Sequence, residues 1–142
     1  MDQASAELLK KLNVKDQTSI FALNTPEEFS GVLAQWQEQL TVLVDPPSEP
    51  CPFVLIFARD QAKLAEIKPI LKSIMNPTGL IWVAYPKKSS KRYKSDLSRD
   101  DFWEALKDLG LEPVRQIALD EDWSALRFKP GSEIKRKSQS KE

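Results

Sequence analysis

Residues 80–88 read LIWVAYPKK, six apolar residues followed by a proline and two lysines. An apolar run without alternation predicts a β-strand that is buried on both faces. FVLIFA at 53–58 has the same character, and the amphipathic stretch 60–75 between the two predicts a helix with Asp60 as its N-cap and a kink at its internal proline. Two buried strands joined by a helix form a βαβ unit, so these segments predict a parallel sheet.

The rest of the chain adds further strands and helices to this unit. Apolar periodicity predicts helices over 5–12, 26–39 and 98–109, and β-branched or aromatic runs predict strands over 18–23, 41–44, 114–119 and 123–128. The acidic turn 120–122 makes the last two strands an antiparallel hairpin. We therefore predict a three-layer α/β fold, Rossmann-like, with a mostly parallel sheet of about six strands that ends in an antiparallel hairpin.

Local signals predict where several elements begin and end. TPEE at 25–28 combines a capping threonine, a proline at the first helical position and a glutamate at the third, which predicts a capping box. Ser98, Asp101 and Gly110 predict the two ends of the last helix. NPTG at 76–79 predicts a turn before the LIWVAY strand.

The proline-rich linker 45–52 is the unusual connection of the predicted fold. A parallel crossover normally needs about 10–12 residues or more. An extended segment of this length nevertheless spans roughly 26–29 Å. We therefore expect the linker to pass over one neighbouring strand.

Composition is that of an ordinary globular domain and excludes several chemistries. The chain has 142 residues, 41% hydrophobic and 30% charged, and no apolar run long enough for a membrane span. It contains no histidine, which excludes a Ser-His-Asp triad, a Cys-His pair and any histidine-ligated metal site within one chain. A single cysteine, Cys51, excludes an internal disulfide and a cysteine-ligated zinc, and with the lack of a secretory signal it predicts a cytoplasmic protein.

Charge is balanced overall but unevenly distributed. The net charge is zero, with +3 carried by residues 129–142 and −3 by residues 1–128. We predict a single α/β domain at 1–128 and a disordered basic tail at 129–142. The acidic balance of the domain argues against a nucleic-acid binder, although a local basic surface stays open.

Two C-terminal motifs carry a resemblance to a known family. WVAYPKK at 82–88 and WSALRF at 123–128 are similar to the motifs W-V-A-W/Y-P-K-K and W-S-x-L-R-F of a bacterial family of small proteins of unknown function. The likeness extends from about Leu8 to Phe128. What it implies is a fold rather than an activity.

The order of the elements also resembles a reduced S-adenosylmethionine-dependent methyltransferase, in which the last parallel strand is followed by a helix and an antiparallel hairpin. Such an enzyme needs a glycine-rich turn after its first strand, whereas here that turn is NTP at 24–26, followed by Glu27 and Glu28. The proline removes an amide donor, and the two glutamates would repel an anion. Asp45 lies where these folds place a ribose-binding acid, but one helix–strand unit is absent after it. The departures predict a degenerate fold without catalysis and without a bound cofactor.

Five residues are candidates for ligand contact at the carboxyl ends of the parallel strands, where α/β sheets bind ligands: Asn24, Asp45, Lys87, Lys88 and Trp123. Lys87 and Lys88 open a basic loop, with Tyr93 as a stacking surface, that leads to the N-terminus of the last helix. This arrangement favours an anion, although a solvated loop explains it as well. Trp123 follows three acids and either closes the hairpin over the core or anchors a ligand or partner.

The remaining conspicuous residues have structural explanations. Arg59 beside Asp60 predicts an exposed ion pair. Three tryptophans lie on apolar stripes or strands and are predicted to be core residues: Trp36, Trp82 and Trp103.

Three functions remain open at this point. The first is a non-catalytic methyltransferase-like module that binds an anionic ligand or a protein partner. The second is an enzyme that acts on a phosphorylated or carboxylated small molecule, in which Lys87 and Lys88 neutralise the anion while Asp45 or Asp60 handles a proton. The third is weak nucleic-acid binding through the basic loop and tail, which the acidic domain disfavours. No metal site, cofactor or membrane partner is predicted.

Overall fold

A computed structural model describes residues 3–15, 17–47, 49–94 and 96–130, apart from the side chains of 75–78 and 99. Within these residues four α-helices and six strands follow one another: α1 (Gln3–Lys11), β1 (Ser19–Leu23), α2 (Ser30–Gln37), β2 (Thr41–Leu43), β3 (Cys51–Phe57), α3 (Gln61–Ile74), β4 (Met75–Pro86), α4 (Arg99–Leu106), β5 (Leu111–Ala118) and β6 (Trp123–Pro130). Short 3₁₀ turns at Glu27–Phe29 and Lys107–Leu109 precede α2 and follow α4. In this part of the chain no helix is long and apolar enough to cross a bilayer.

The strands form one sheet in the order β2-β1-β3-β4-β6-β5. The pairs β1–β2, β1–β3 and β3–β4 are parallel, and β6 is antiparallel to both β4 and β5. The predicted fold class is therefore confirmed, and the first and fourth strands run in the same direction. The linker prediction is also confirmed, because β2 and β3 lie on opposite sides of β1 and the chain between them must pass across it.

Alternate residues of the central strands supply two separate apolar layers. In β3, Phe53 and Leu55 pack on the face covered by α1 and α2, whereas Val54 and Ile56 pack on the face covered by α3 and α4. Each helix contributes its inner stripe, including Leu8, Trp36, Leu64 and Ile67, and Phe102 and Leu106, and Leu12 joins the layer of α1 directly after that helix ends. Burial on both faces is what the uninterrupted apolar strands required.

Several predicted helix ends are confirmed in detail. The Oδ1 of Asp60 accepts from the backbone N–H of Lys63 at 2.9 Å, which makes Asp60 the cap of α3. Ser98 and Asp101 form a reciprocal capping box at the start of α4. Gly110 follows with a φ of 77°, in the left-handed region that favours glycine.

The capping box predicted at 25–28 is wrong. The residue before the 3₁₀ turn is Pro26, and no side chain caps that turn. The regular helix begins only at Ser30. The carboxylate of Glu28, which a capping box would direct at the backbone of Thr25, accepts from side chains across the sheet edge.

Three further predictions need correction. The turn expected at 76–79 is part of β4, because β3 already pairs with this strand at Cys51–Met75 before the register shifts to Phe53–Leu80. Trp103 is 45% exposed rather than buried, since it follows Phe102 on α4 and so points away from the inner stripe. The expected tail begins later than residue 129, because Lys129 and Pro130 pair with β5; the predicted disorder of 131–142 concerns residues outside the described ones.

Candidate functional site

The carboxyl ends of β1 and β3 lie side by side at the point where the chain diverges to the two faces of the sheet. After β1 the chain enters α2 on one face, and after β3 it enters α3 on the other. Such a switch point opens a crevice in α/β sheets. A cavity of about 490 Å³ lies here, and we call it the switch-point cleft; it is lined by Asn24, Thr25, Pro26, Glu27, Glu28, Phe57, Arg59, Lys63, Arg92, Tyr93 and Trp123.

Asn24 makes the turn at the end of β1. Its φ is 60°, in the left-handed region that is costly for most residues and tolerable for asparagine. Its Nδ2 donates to the backbone carbonyl of Phe57 at 3.4 Å, a long bond that links the ends of β1 and β3. Asparagine thus supplies the backbone conformation that glycine would otherwise provide at this position.

Glu28 lies at the centre of the cleft and is held by donors from two other segments. Its Oε2 accepts from the hydroxyl of Tyr93 and, at 3.1 Å, from the Nε1 of Trp123, while the Nη1 of Arg92 lies 3.7 Å from Oε1. Burial by itself raises the pKa of this carboxyl, but the hydrogen bonds and the nearby guanidinium outweigh it and bring the pKa below its ordinary value of 4.5. Glu28 is therefore an ion at neutral pH.

Aromatic rings form the wall behind this carboxylate. Trp123 is 2% exposed and makes edge-on contacts with Phe57 at 5.1 Å and with Tyr93 at 5.0 Å between ring centroids. The guanidinium of Arg59 lies 5.4 Å from the centre of the Tyr93 ring, which is a cation–π distance. Burial and the Glu28 carboxylate raise the pKa of the Tyr93 phenol above its ordinary value of 10.0. The phenol is therefore a donor throughout the neutral range.

The loop at 87–97, which we call the strap, brings Tyr93 into the cleft. The Oγ of Ser90 donates to Asp122 at 2.8 Å and accepts from the backbone N–H of Tyr93 at 3.1 Å. At its far end Asp96 accepts from the backbone N–H of Gln61, the first residue of α3, at 2.9 Å. The strap is thus fixed to both the hairpin turn and α3, and Tyr93 lies between these two attachments.

Cations line the mouth of the cleft. The predicted ion pair between Arg59 and Asp60 is wrong, since the described ion pairs do not include it and Asp60 serves as a helix cap. Lys63 pairs with Glu66 at 3.2 Å. Arg92 lies at 3.7 Å from both Glu28 and Asp122, distances at the long end for an ion pair, and its side chain is 59% exposed. These side chains can reorient toward an anion at small cost.

A second depression of about 610 Å³ lies on the other side of the strap, above the paired ends of β4 and β6. It is lined by Tyr85, Lys87, Lys88, Ser89, Ser98, Asp100, Gln116 and Ser124, and we call it the lysine depression. Lys88 is exposed and Lys87 half-buried. The backbone N–H of Lys87 donates to the carbonyl of Asp122 at 2.8 Å, so the hairpin turn fixes its position.

The structure divides the five candidate residues among three places. Asn24 and Trp123 line the switch-point cleft, and Lys87 and Lys88 line the lysine depression. Asp45 is exposed beyond the end of β2 and lines neither. The enzyme hypothesis needs Asp45 or Asp60 next to the two lysines, and neither acid lines the lysine depression.

The residues that sequence reasoning left out of the candidate set are Glu28, Arg92 and Arg59. Glu28 had a sufficient local explanation as part of a capping box, and Arg92 was one cation in a basic loop. The signal that was present is Tyr93, an aromatic residue within that loop and a plausible stacking surface. Nothing in the chain order says that it meets a glutamate 65 positions away.

Comparison with solved structures identifies proteins of the same fold. A S-adenosylmethionine-dependent methyltransferase from Aquifex aeolicus aligns with a TM-score of 0.58 at 13% identity over 87% of this chain and 88% of its own. A putative type 11 methyltransferase from Sulfolobus solfataricus aligns with a TM-score of 0.56 at 11% identity, over 96% of this chain and 97% of its own. A ribosomal protein L11 methylase from Lactobacillus delbrueckii aligns with a TM-score of 0.54 at 10% identity, over 90% of this chain and 77% of its own. No family model matches the chain, and no curated protein matches it. The chain therefore has a methyltransferase-like fold.

Proposed function

We propose that this chain is a methyltransferase-like binding module that does not transfer methyl groups, and that its switch-point cleft binds a small anionic molecule. The observation that argues against methyl transfer is the ionised Glu28 carboxylate, which Tyr93 and Trp123 hold in the middle of the cleft, whereas the observation that favours an anion is the set of cations at its rim. The cleft is thereby built around a carboxylate of the protein itself. Its outer rim retains cations.

The residues of the cleft do not fit S-adenosylmethionine. Pro26 offers no backbone N–H at the turn after β1, where a glycine-rich loop would approach the cofactor. The carboxylate of the cofactor's amino-acid part would meet Glu27 and Glu28, and displacing Glu28 would leave the buried indole N–H of Trp123 and the half-buried hydroxyl of Tyr93 without this acceptor. Asp45, the acid at the position expected for a ribose contact, does not line the cleft.

The charges at the mouth of the cleft favour an anionic ligand. Arg59 stands over the Tyr93 ring, has no ion pair among the described residues and lines the cavity together with Lys63 and Arg92. The Glu28 charge is directed at its own donors and at Arg92, so it opposes an incoming anion less than a bare carboxylate would. A cavity of 490 Å³ with aromatic walls is within the size range of small-molecule sites.

The two alternatives receive less support from the geometry. For an enzyme acting on a phosphorylated or carboxylated molecule, the lysine depression offers cations and hydroxyls, but Asp45 and Asp60 do not line it. For nucleic-acid binding, the basic loop would need to present one surface. The strap instead directs Lys87 and Lys88 to one side and Arg92 to the other.

The test is direct binding measured by calorimetry and thermal shift, with S-adenosylmethionine, S-adenosylhomocysteine, inorganic phosphate, citrate and adenosine monophosphate as probes. We expect saturable binding of at least one of the three anions and none of the two sulfur compounds. Arg59→Gln should weaken that binding by about tenfold, the value of one charge-assisted hydrogen bond. Lys88→Ala, a cation of the other depression, should leave it unchanged.

Two results would contradict the proposal. One is saturable binding of S-adenosylmethionine accompanied by methyl transfer to any acceptor. The other is anion binding that Arg59→Gln leaves intact and Lys88→Ala abolishes, which would move the site to the lysine depression.

A further inference from the structure

Two arginines face each other on the C-terminal hairpin, away from both depressions. Arg115 of β5 and Arg127 of β6 are direct cross-strand partners in the antiparallel register. Arg127 lies on the sheet face covered by α1 and α2, because Trp123 and Ala125, two alternate residues of the same strand, belong to that layer. Arg127 is four residues from Trp123, so the pair lies roughly 13 Å along β6 from the switch-point cleft.

This pair is unfavourable as it stands. Like charges directly opposite each other on a sheet destabilise it. The Nε of Arg127 is buried and has no hydrogen-bond partner in the described part of the protein, whereas buried polar atoms are nearly always satisfied. Burial, and secondly the charge of Arg115, lower the pKa of Arg127, yet a guanidinium remains charged at neutral pH.

The pair is nevertheless reachable from solvent. Arg115 is exposed and Arg127 is half-buried, and Lys129 follows on the same face of β6. The acid that the register places on this face is Glu112, which is opposite Lys129 rather than opposite either arginine. A positively charged surface with an unmet donor at its base remains.

We propose that Arg115 and Arg127 bind a phosphate group. An oxyanion between the two guanidinium groups would accept from their accessible N–H donors and replace repulsion between like charges with two attractions. The paired N–H donors of a guanidinium group match the geometry of a phosphate. A phosphate has three or four oxygens and can accept from two arginines at once, whereas the two oxygens of a carboxylate are occupied by one arginine. The site is separate from the switch-point cleft and does not depend on the function proposed for it.

The experiment follows the Nε–Hε resonance of Arg127 by NMR during titration with inorganic phosphate at constant ionic strength, with chloride and acetate as the comparison anions. We use Arg59→Gln as the background, so that anion binding in the switch-point cleft is weakened while the Arg127 resonance reports on the hairpin alone. The Arg127 resonance should shift saturably with phosphate and only weakly with acetate. Arg115→Gln, an exposed substitution, should weaken phosphate binding by about tenfold.

A second titration, with a short oligothymidylate, identifies the source of the phosphate. If it moves the same resonance with a steep dependence on salt, the group belongs to a nucleic-acid backbone. If only inorganic phosphate does so, the ligand is a small phosphorylated molecule, and both results support the site. The proposal is wrong if phosphate leaves the Arg127 resonance unmoved, if acetate binds equally well, or if Arg115→Gln binds phosphate as the parent does.

Discussion

The two depressions at the carboxyl edge of the sheet differ in how their charged groups are satisfied. In the switch-point cleft, Glu28 accepts from Tyr93 and Trp123, and aromatic rings pack behind them. In the lysine depression, Lys87 and Lys88 extend among hydroxyl groups and solvent. Both depressions lie at the edge where α/β sheets bind ligands, so their position does not distinguish them. What distinguishes the cleft is a set of polar groups that satisfy one another against a buried tryptophan.

The strap explains how one basic loop can contribute to two unlike places. Ser90 bonds to Asp122 and fixes the loop midway between Lys88 and Arg92. Lys87 and Lys88, before this point, line the lysine depression, and Arg92 and Tyr93, after it, line the cleft. The charge run seen in the chain is therefore divided by a single hydrogen-bonded serine.

The largest expected effect in this comparison is the loss of the Trp123 ring. Trp123 is 2% exposed and supports both Phe57 and Tyr93, so Trp123→Ala should lower the free energy of unfolding by about 3–5 kcal/mol. Trp103→Ala is the matched control, because Trp103 is 45% exposed and should change stability by no more than about 0.5 kcal/mol. Urea unfolding followed by far-UV circular dichroism measures both. Equal losses would show that the packed wall behind Glu28 is not as described.

The second effect concerns the Glu28–Tyr93 hydrogen bond and its dependence on pH. Because the folded pKa of Glu28 lies below 4.5, its contribution to stability is present above that pH and is lost as the pH falls through the folded pKa. Because the folded pKa of Tyr93 lies above 10.0, its contribution is present below that pH and is lost as the pH rises through the folded value. At neutral pH both contributions are present, so Tyr93→Phe should lower the free energy of unfolding. We expect a loss of about 1.5–3 kcal/mol, the range for a hydrogen bond to a charged group.

Glu28→Gln sharpens this prediction, since glutamine can still occupy the site but does not titrate. Its stability should change less than that of the parent protein as the pH is lowered from neutral to below 4.5, since the parent loses the contribution of the ionised carboxylate there. Chemical unfolding at a series of pH values gives the two curves. If the curves are parallel over this range, Glu28 does not carry the ionised hydrogen bond that we assign to it.

Most of the fold was predictable because burial on both faces leaves a strong pattern. The uninterrupted apolar strands 53–58 and 80–85 predicted the middle of a parallel sheet, and the acidic turn 120–122 predicted the hairpin, whereas the order of the strands came only from the structure. The errors fall where two local explanations compete. NPTG at 76–79 has turn chemistry but lies beside Cys51, whose strand offers pairing, and Trp103 lies one position from the inner stripe of its helix.

The edge of the sheet at which the candidate cleft lies was predictable, but the side chains that line it were not. The strand-end edge follows from the parallel sheet, and Asn24 and Trp123 do line the cleft. Glu28 could not be found because TPEE satisfies a local capping rule, whereas the partner it uses is a tyrosine in a loop that follows a different strand. Sequence periodicity specifies which side chains are buried, but it does not specify which polar side chains meet across the edge of a sheet.

A smaller effect is expected from Arg92, which lies at the rim of the cleft. Its side chain is 59% exposed and lies 3.7 Å from both carboxylates it approaches, so Arg92→Ala should cost no more than about 1 kcal/mol. The loss should diminish as salt is added, because exposed charges are screened. Thermal unfolding at low and high salt provides the measurement. A loss as large as that of Tyr93→Phe, and insensitive to salt, would mean that Arg92 is an integral part of the buried network.

The smallest effect is expected in the lysine depression. The double variant Lys87→Ala/Lys88→Ala retains the backbone bond from residue 87 to Asp122, so its stability should stay within about 0.5 kcal/mol of the parent protein. Its affinity for any anion that Arg59→Gln weakens should be unchanged, since the two lysines do not line the switch-point cleft. Unfolding and calorimetry on the same preparations test both statements. A destabilised double variant would mean that the lysines stabilise the strap, and the strap positions Tyr93, so the two depressions would then act as one site joined through Ser90.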